Sequence, residues 1–210
     1  TSADLDPAGA DVAAEIGADF VACDGADAEQ LSAALDRAAG ERGLDICVNN
    51  AGIYPTTGPF ADATDDFVAR MLDVNVRALF SATREASQRM NDGGAIVNLA
   101  SIAGLRAGAN ISAYSASKAA VMALSRAHAH ELGCWGIRVN AIAPGVIDTP
   151  GVQDQLEPLR QSGVDIDKRI AGNPLRTAGH ADHIARGALF LVSDLSAFIT
   201  GQVLVIDGGS

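Results

Sequence analysis

The sequence is poor in lysine, tyrosine, tryptophan and cysteine, and it has no long uninterrupted apolar run. Its 210 residues include two lysines, two tyrosines, one tryptophan and three cysteines. No segment approaches the ~20 apolar residues of a membrane-spanning helix, so no membrane partner is expected. Cys23, Cys47 and Cys134 lie far apart in apolar settings. That spacing argues against a disulfide frame or a metal site and reads as buried free thiols in a reducing cytoplasm. Basic side chains are outnumbered, 15 against 26, giving a formal charge of −11. Such a surface repels phosphate backbones, so nucleic-acid binding is not expected. The opening residues Thr1-Ser2-Ala3-Asp4 carry no signal-peptide pattern. Repeats and low-complexity segments are also lacking. With 48% hydrophobic residues, the chain has the material for one domain, residues 1–210, around a sizeable core.

What is present alternates between strand and helix patterns. A helix capped by Asp4 or Asp6 is expected from Pro7 to Gly17, followed by a strand at Asp19–Cys23. Leu31, Ala34, Leu35 and Ala38 share one face of a helix over 28–39. Leu44–Val48 reads as a strand buried on both faces, as parallel sheets require. A long helix runs from about Thr64 towards Met90, Asp92-Gly93-Gly94 turns the chain, and a strand follows at Ala95–Leu99. Further elements are a helix over Ser112–Leu132, a strand at Ile137–Ala143, a loop with short helices over 148–175, a helix over Ala181–Ser193 and a strand at Gln202–Ile206. This alternation predicts an α/β fold, a Rossmann-like parallel sheet with helices on both faces. Ligands of such sheets bind at the carboxyl ends of the strands. Asp24, Asn49 to Gly52, Ser101 and Pro144 to Thr149 all fall there.

One stretch of the long helix bears chemistry directly. In Ser112-Ala113-Tyr114-Ser115-Ala116-Ser117-Lys118, the tyrosine and lysine stand at i and i+4 and share a helix face. A neighbouring ammonium favours phenolate, so a phenol that normally titrates near pH ~10 would exchange protons closer to neutrality. His180, Asp182 and His183 are the nearest approach to a metal cluster, but no third strong ligand adjoins them and no metal site is assigned. Tyr54 and Leu105 read equally as reaching a substrate pocket at the strand ends or as core or rim packing, and Trp135 is expected to pack beside the strand that follows it.

Taken in order, Asn49-Asn50-Ala51-Gly52, Asn75, Ser101, Tyr114 with Lys118, Pro144-Gly145 and the tail Ile199-Thr200-Gly201-Gln202 to Asp207-Gly208-Gly209 resemble the classical short-chain dehydrogenase/reductase family over nearly the whole chain. The resemblance implies an oxidoreductase that interconverts a secondary alcohol and a ketone with a nicotinamide cofactor. Tyr114 would be the general acid/base, Ser101 would bond the substrate oxygen, Lys118 would lower the tyrosine pKa and hold the nicotinamide ribose, and Asn75 would hold a relay water. Asn49, Ala51 and Gly52 would line the adenosine ribose side, and Asp24 would meet the adenine amine. Pro144, Gly145, Ile147 and Thr149 would hold the carboxamide. Asp4 would bond the ribose hydroxyls and repel a 2′-phosphate, which implies NAD rather than NADP; as a residue, Asp4 also reads as a helix cap. The resemblance further implies homotetramers formed through the helices at 64–90 and 112–132, and a substrate lid within 148–175. Its main rival reading within the family is a 3-oxoacyl thioester reductase.

The sequence departs from the family in one respect. The family's Thr-Gly-x-x-x-Gly-x-Gly turn, which with a helix N-terminus holds the pyrophosphate, is not spelled anywhere in these 210 residues. The N-terminal strand-helix-strand is therefore expected to be absent. A gap in the sheet is expected between Asp19–Cys23 and Leu44–Val48, unless those two strands pair directly. Two expectations compete: a partial sequence of an ordinary enzyme, or a truncated, non-catalytic product acting only through oligomerisation. In either case the 210-residue polypeptide is expected to bind dinucleotide weakly.

Overall fold

The computed structural model describes residues 1–54, 59–161 and 172–210. In chain order the elements are β1 (Ser2–Asp4), α1 (Gly9–Glu15), β2 (Phe20–Ala22), α2 (Ala28–Ala39) and β3 (Leu44–Asn49). Then come α3 (Asp65–Leu72), a π-helical turn (Asp73–Arg77), α4 (Ala78–Ser87), β4 (Met90–Leu99), α5 (Ser112–Leu132) and β5 (Arg138–Pro144). The chain closes with β6 (Ile147–Asp148), α6 (Pro150–Gln161), β7 (Gly179–His180), α7 (Ala181–Val192) and β8 (Val203–Ile206). The main sheet has the order β3-β4-β5-β8, every neighbour parallel.

Side-chain alternation along the strands divides the core between the two faces of this sheet. On β4, Ile96 points to Ala129 and Leu132 of α5, whereas Val97 and Leu99 point to Leu191 of α7. On β5, Val139, Ala141 and Ala143 join the α5 side, and Ile142 the α7 side. Ile96, Val97, Val139 and Ile142 are fully buried. Each such side chain contributes about 1.5–3 kcal/mol through removal from water. The polar residues inside the sheet are paired. Asn98 accepts from Asn49 at 2.8 Å and donates to Ser125 Oγ at 2.9 Å, and Asn140 bonds the Ile199 carbonyl and the Gln202 amide.

Several expectations shift. The helix expected from Thr64 to Met90 ends at Ser87, and β4 begins at Met90, ahead of the Gly93-Gly94 turn. Gly93 takes a left-handed φ of 82°, so the strand passes through the glycines with a change of register against β3. The first helix starts at Gly9 rather than Pro7, because Asp4 and Asp6 cap the turn before it: their carboxylates accept from the Asp6 and Ala8 amides. The short parallel pair β6–β7 has no expected counterpart. Residues 162–171, which hold much of the anticipated lid, lie outside the described residues.

The largest difference concerns β3. Burial on both faces is expected, yet Ile46 and Val48 are 49% and 45% exposed. Their face of the sheet is the α7 side, and α7 packs over β4, β5 and β8. Among the described residues β3 pairs with β4 alone, while β1 and β2 form a separate two-stranded parallel sheet. The direct pairing of Asp19–Cys23 with Leu44–Val48 is not observed. Instead α2 carries the small sheet, docked on α4 by Arg89, which bonds Asp36 at 2.7 Å and Ser32 at 2.8 Å.

Candidate active site

The carboxyl ends of β3, β4 and β5 open into one cleft of about 400 Å³, within the range of small-molecule sites. Val48, Leu99, Ala100, Pro144 and Ile147 supply much of its apolar wall; Tyr114, Lys118, Asn50 and Thr149 supply polar groups. The first two turns of α7 also contribute, through Ala181, Ile184 and Ala185.

Tyr114 and Lys118 are brought to this cleft by the first turns of α5, which spans Ser112–Leu132 as the periodicity predicts. Lys118 is 6% exposed, and its Nζ donates to the Leu99 carbonyl at 2.9 Å, at the end of β4. Burial lowers its pKa to about 8. Its Nζ stands 5.8 Å from the centroid of the Tyr114 ring. Ser101, directly after β4, sits beside the tyrosine and caps a short 3-10 turn at Ile102–Gly104 by accepting from the Ala103 amide at 3.2 Å. That turn can lie against α5 only because Gly104 lacks a side chain: a Cβ there would be 2.7 Å from backbone atoms of Lys118 and Ala119.

The electrostatics differ from the expectation that Lys118 makes Tyr114 easier to ionise. The Tyr114 pKa is raised, chiefly because burial disfavours phenolate. A hydrogen bond with the Ser101 side chain pulls it back, and the nearby Tyr54 phenol raises it further. Desolvation thus governs both groups and favours the neutral form of each.

Asn75 is 1% exposed and sits in the π-helical turn between α3 and α4. Its Oδ1 accepts from the Ile53 amide at 2.8 Å, and its Nδ2 donates to the Ile53 carbonyl at 2.9 Å and to Ser117 Oγ at 3.1 Å. Ser117 Oγ in turn donates to the Tyr114 carbonyl at 2.7 Å. π-Turns widen a helix locally and recur at functional sites. Here the turn sets Asn75 between the loop after β3 and the start of α5.

The remaining residues divide. Gly52, Pro144, Ile147 and Thr149 line the cleft. Asn49 does not: its amide is spent on Thr83 and Asn98 beneath the sheet end, and Asn50 faces the cleft instead. Ala51 and Gly145 also stay out of the lining, Gly145 donating its amide to Ile206 of β8. Asp4 and Asp24 close turns at the ends of the separate β1–β2 sheet, Asp24 accepting from the Ala26 amide at 2.9 Å. Asn50 stands in the expected Asn49–Gly52 stretch without a role of its own, and the sequence assigns none to the α7 residues Ala181, Ile184 and Ala185. Tyr54 lines the cleft, whereas Leu105 is outside its lining and Trp135 is 53% exposed. His180 and His183 serve the start of α7, the His180 amide donating to His183 Nδ1 at 2.9 Å.

The cleft suits the nicotinamide end of a dinucleotide. Gly52 lines it without a side chain, and a Cβ there would crowd Asn75 Oδ1 at 3.1 Å and Lys118 Nζ at 3.2 Å, the two polar groups behind this wall. Lys118 and Thr149 supply donors beside it, and Pro144 and Ile147 an apolar wall.

Comparison with known proteins agrees with this geometry. A family model described as Enoyl-(Acyl carrier protein) reductase matches residues 2–210. A (5R,7aS)-5-hydroxy-7a-methyl-1-oxo-2,3,5,6,7,7a-hexahydro-1H-indene-carboxyl-CoA reductase of Mycobacterium tuberculosis is 38% identical over 90% of this chain and 71% of its own length. A 3alpha-hydroxysteroid dehydrogenase of Mediterraneibacter gnavus is 36% identical over 88% of this chain and 72% of its own. The crystal structure of an NAD+-bound xylitol dehydrogenase superposes with a TM-score of 0.91 at 30% identity, covering 99% of this chain and 87% of that one. By its fold, by the match along its whole length and by these relatives, the chain belongs to the short-chain dehydrogenase/reductase family of oxidoreductases.

Proposed function

We propose that the protein interconverts a cyclic secondary alcohol and the corresponding ketone, with Tyr114 as the general acid/base. The observation that carries this reading is the convergence of Tyr114 and buried Lys118 on an apolar cleft, with the Ser101 side chain hydrogen-bonded to Tyr114 and Gly52 in the cleft wall beside Lys118. A bound nicotinamide dinucleotide supplies or takes up the hydride. Tyr114 Oη then gives a proton to the carbonyl oxygen in reduction, or takes one from the alcohol in oxidation. Ser101 Oγ, beside that phenol, bonds the same oxygen and fixes its distance. Lys118 holds the cofactor ribose and biases the phenol once the site is filled. Asn75 places a water between Lys118 and solvent. The apolar wall and the ring-bearing substrates named for two relatives support a cyclic substrate. Asp4 at the end of β1 favours NAD over NADP by repelling a 2′-phosphate.

A 3-oxoacyl thioester is the second reading, favoured by the acyl-carrier description of the matching family model. Asp24, Asn49, Ala51 and Gly145 belong to the cofactor side in this proposal through backbone and turn positions rather than through side chains in the cleft. Association into a homotetramer uses α3 to α5, where Leu72 and Phe80 are 40% and 43% exposed. The free cysteines suit the cytoplasm.

The test measures NADH and NADPH binding by fluorescence titration. Turnover is then read at saturating cofactor on cyclic alcohols, polyols, ketones and 3-oxoacyl thioesters. Tyr114→Phe is expected to lower kcat by roughly 10²–10⁴-fold while leaving cofactor affinity unchanged. Near-parental kcat in that variant would overturn the assignment.

A further inference from the structure

We propose that Tyr54 is a positioning residue for the proton-transfer phenol: its ring packs on Tyr114, keeps water from it and aims it into the cleft. The inference rests on Tyr114 being the acid/base and adds a partner that neither the sequence motifs nor the relatives assign.

The two rings have centroids 4.4 Å apart and are tilted by 58°. Aromatic pairs favour offset or tilted rings about 4.5–7 Å apart, so this contact is slightly closer than that range, in tight van der Waals packing. Both rings line the cleft, which makes Tyr54 part of the wall that a substrate meets beside Tyr114. The contact is not left to side-chain chance. Asn75 clamps both backbone groups of Ile53, the residue before Tyr54, and the same amide reaches Ser117, which bonds the Tyr114 carbonyl. Asn75 and Ser117 are essentially fully buried. One continuous hydrogen-bonded link therefore fixes the backbone carrying Tyr54 relative to the backbone carrying Tyr114.

Among the described residues, the titratable groups facing Tyr114 are Tyr54, from the loop after β3, and Lys118, one turn along α5. Ser101 faces it from the end of β4 and hydrogen-bonds it. Of the two titratable neighbours, Tyr54 is the one in ring contact. Removing its ring opens the phenol to water, which solvates phenolate and eases ionisation. Keeping the ring while deleting its hydroxyl leaves the shield in place. A phenol that gives its proton to a substrate oxygen must be protonated and aimed when the substrate arrives, and a packed aromatic neighbour supplies both conditions.

The test uses the scarcity of tyrosine. The chain has two, so Tyr54→Phe and Tyr54→Leu each leave Tyr114 as the sole phenol. Ultraviolet phenolate absorbance then titrates Tyr114 alone, without cofactor or substrate, and Tyr54→Phe combined with Tyr114→Phe supplies the blank. The expected result is a midpoint above ~10 in Tyr54→Phe and about one pH unit lower in Tyr54→Leu. Coincident midpoints would overturn the proposal. Far-ultraviolet circular dichroism checks the fold across the titration, and Tyr54→Met, which keeps apolar bulk without a ring, replaces Tyr54→Leu should that variant unfold. In turnover, the pH profile of kcat is expected to shift with the titration midpoint, with kcat falling more than KM changes. Separated midpoints in a protein that oxidises no alcohol would uphold the shield and defeat the hydride-transfer reading. Normal turnover with coincident midpoints would do the reverse.

Discussion

Lys118 shows how much stability this site gives up at a single residue. Its ammonium lies almost wholly out of water, held by the Leu99 carbonyl, and burial alone drops its pKa from 10.5 to about 8. The sign of the linkage follows from which state holds the proton more tightly. Between pH ~8 and ~10.5 the unfolded chain keeps the lysine proton and the folded chain releases it, so stability contributed by this group rises with pH across that window. Below pH ~8 the full cost of burying the charge applies, about 1.4 kcal/mol for each pH unit that separates the folded from the unfolded pKa. Lys118→Met removes that charge and keeps the bulk. We expect it to raise unfolding free energy at pH 7 by roughly 2 kcal/mol, with the advantage shrinking as pH approaches 10. Urea denaturation of both proteins at several pH values checks this. A variant less stable than the parent at pH 7, or a gap independent of pH, would show that the Leu99 hydrogen bond outweighs desolvation. A lysine retained despite such a cost is what a functional site leads one to expect.

At the scale of elements, the π-helical turn between α3 and α4 is the joint on which the site depends. A regular helix through Asp73–Arg77 would rotate Asn75 away from Ile53, and the link to Ser117 and α5 would be lost. Asn75→Ala takes a partner from the half-buried Ile53 amide and carbonyl, and one from the buried Ser117 hydroxyl, which keeps the Tyr114 carbonyl. The expected cost is about 2–4 kcal/mol, at roughly 1–3 kcal/mol per unsatisfied group with partial relaxation. Hydrogen exchange at the Ile53 amide should accelerate more than the global loss of stability explains; unchanged protection there would show that the clamp is dispensable. This element also marks the limit of what the sequence made legible. α2 and α5 are read to the residue, because their helical pattern stops where the elements do. Ser101, Tyr114 and Lys118 are likewise brought together as expected. The π-turn has no periodic signature distinct from a helix, so Asn75 is identified by its motif but its bonding is not. Asn49 and Asn50 are adjacent and chemically identical. Only the strand alternation at the end of β3, which turns Asn49 towards Thr83 and Asn98, decides which of them faces the cleft.

For the whole molecule, the division between the two sheets predicts unequal stability. The main sheet carries the fully buried residues of β4 and β5 and is covered by α5 on one face and α7 on the other. The β1–α1–β2 unit has strands of three residues each and a seven-residue helix, with Leu5, Val12 and Ile16 all more than half exposed. A two-stranded pair of this size does not bury enough apolar area to hold itself together in water. Through α2, it leans on the rest by polar contacts: Arg89 with Asp36 and Ser32, and Arg77 with the Ala26 carbonyl at 3.0 Å. Arg89–Asp36 is the one ion pair among these three contacts, and with its carboxylate largely exposed it contributes about 0–1 kcal/mol. We therefore expect the unit to open without the main sheet, as a separate cooperative piece. The amide of Cys23, bonded to the Asp4 carbonyl at 2.9 Å, reports on it, and the amide of Ala100, bonded to the Ile142 carbonyl at 2.8 Å, reports on the main sheet. Native-state hydrogen exchange should show Cys23 exchanging at least about 100-fold faster than Ala100, a gap of roughly 2.7 kcal/mol or more. Arg89→Ala should widen that gap by weakening the hold of α2 on α4 while leaving Ala100 protected. Equal protection at the two amides would mean that the small sheet folds as one body with the large one, and that the half-exposed Ile46 and Val48 edge does not divide the molecule.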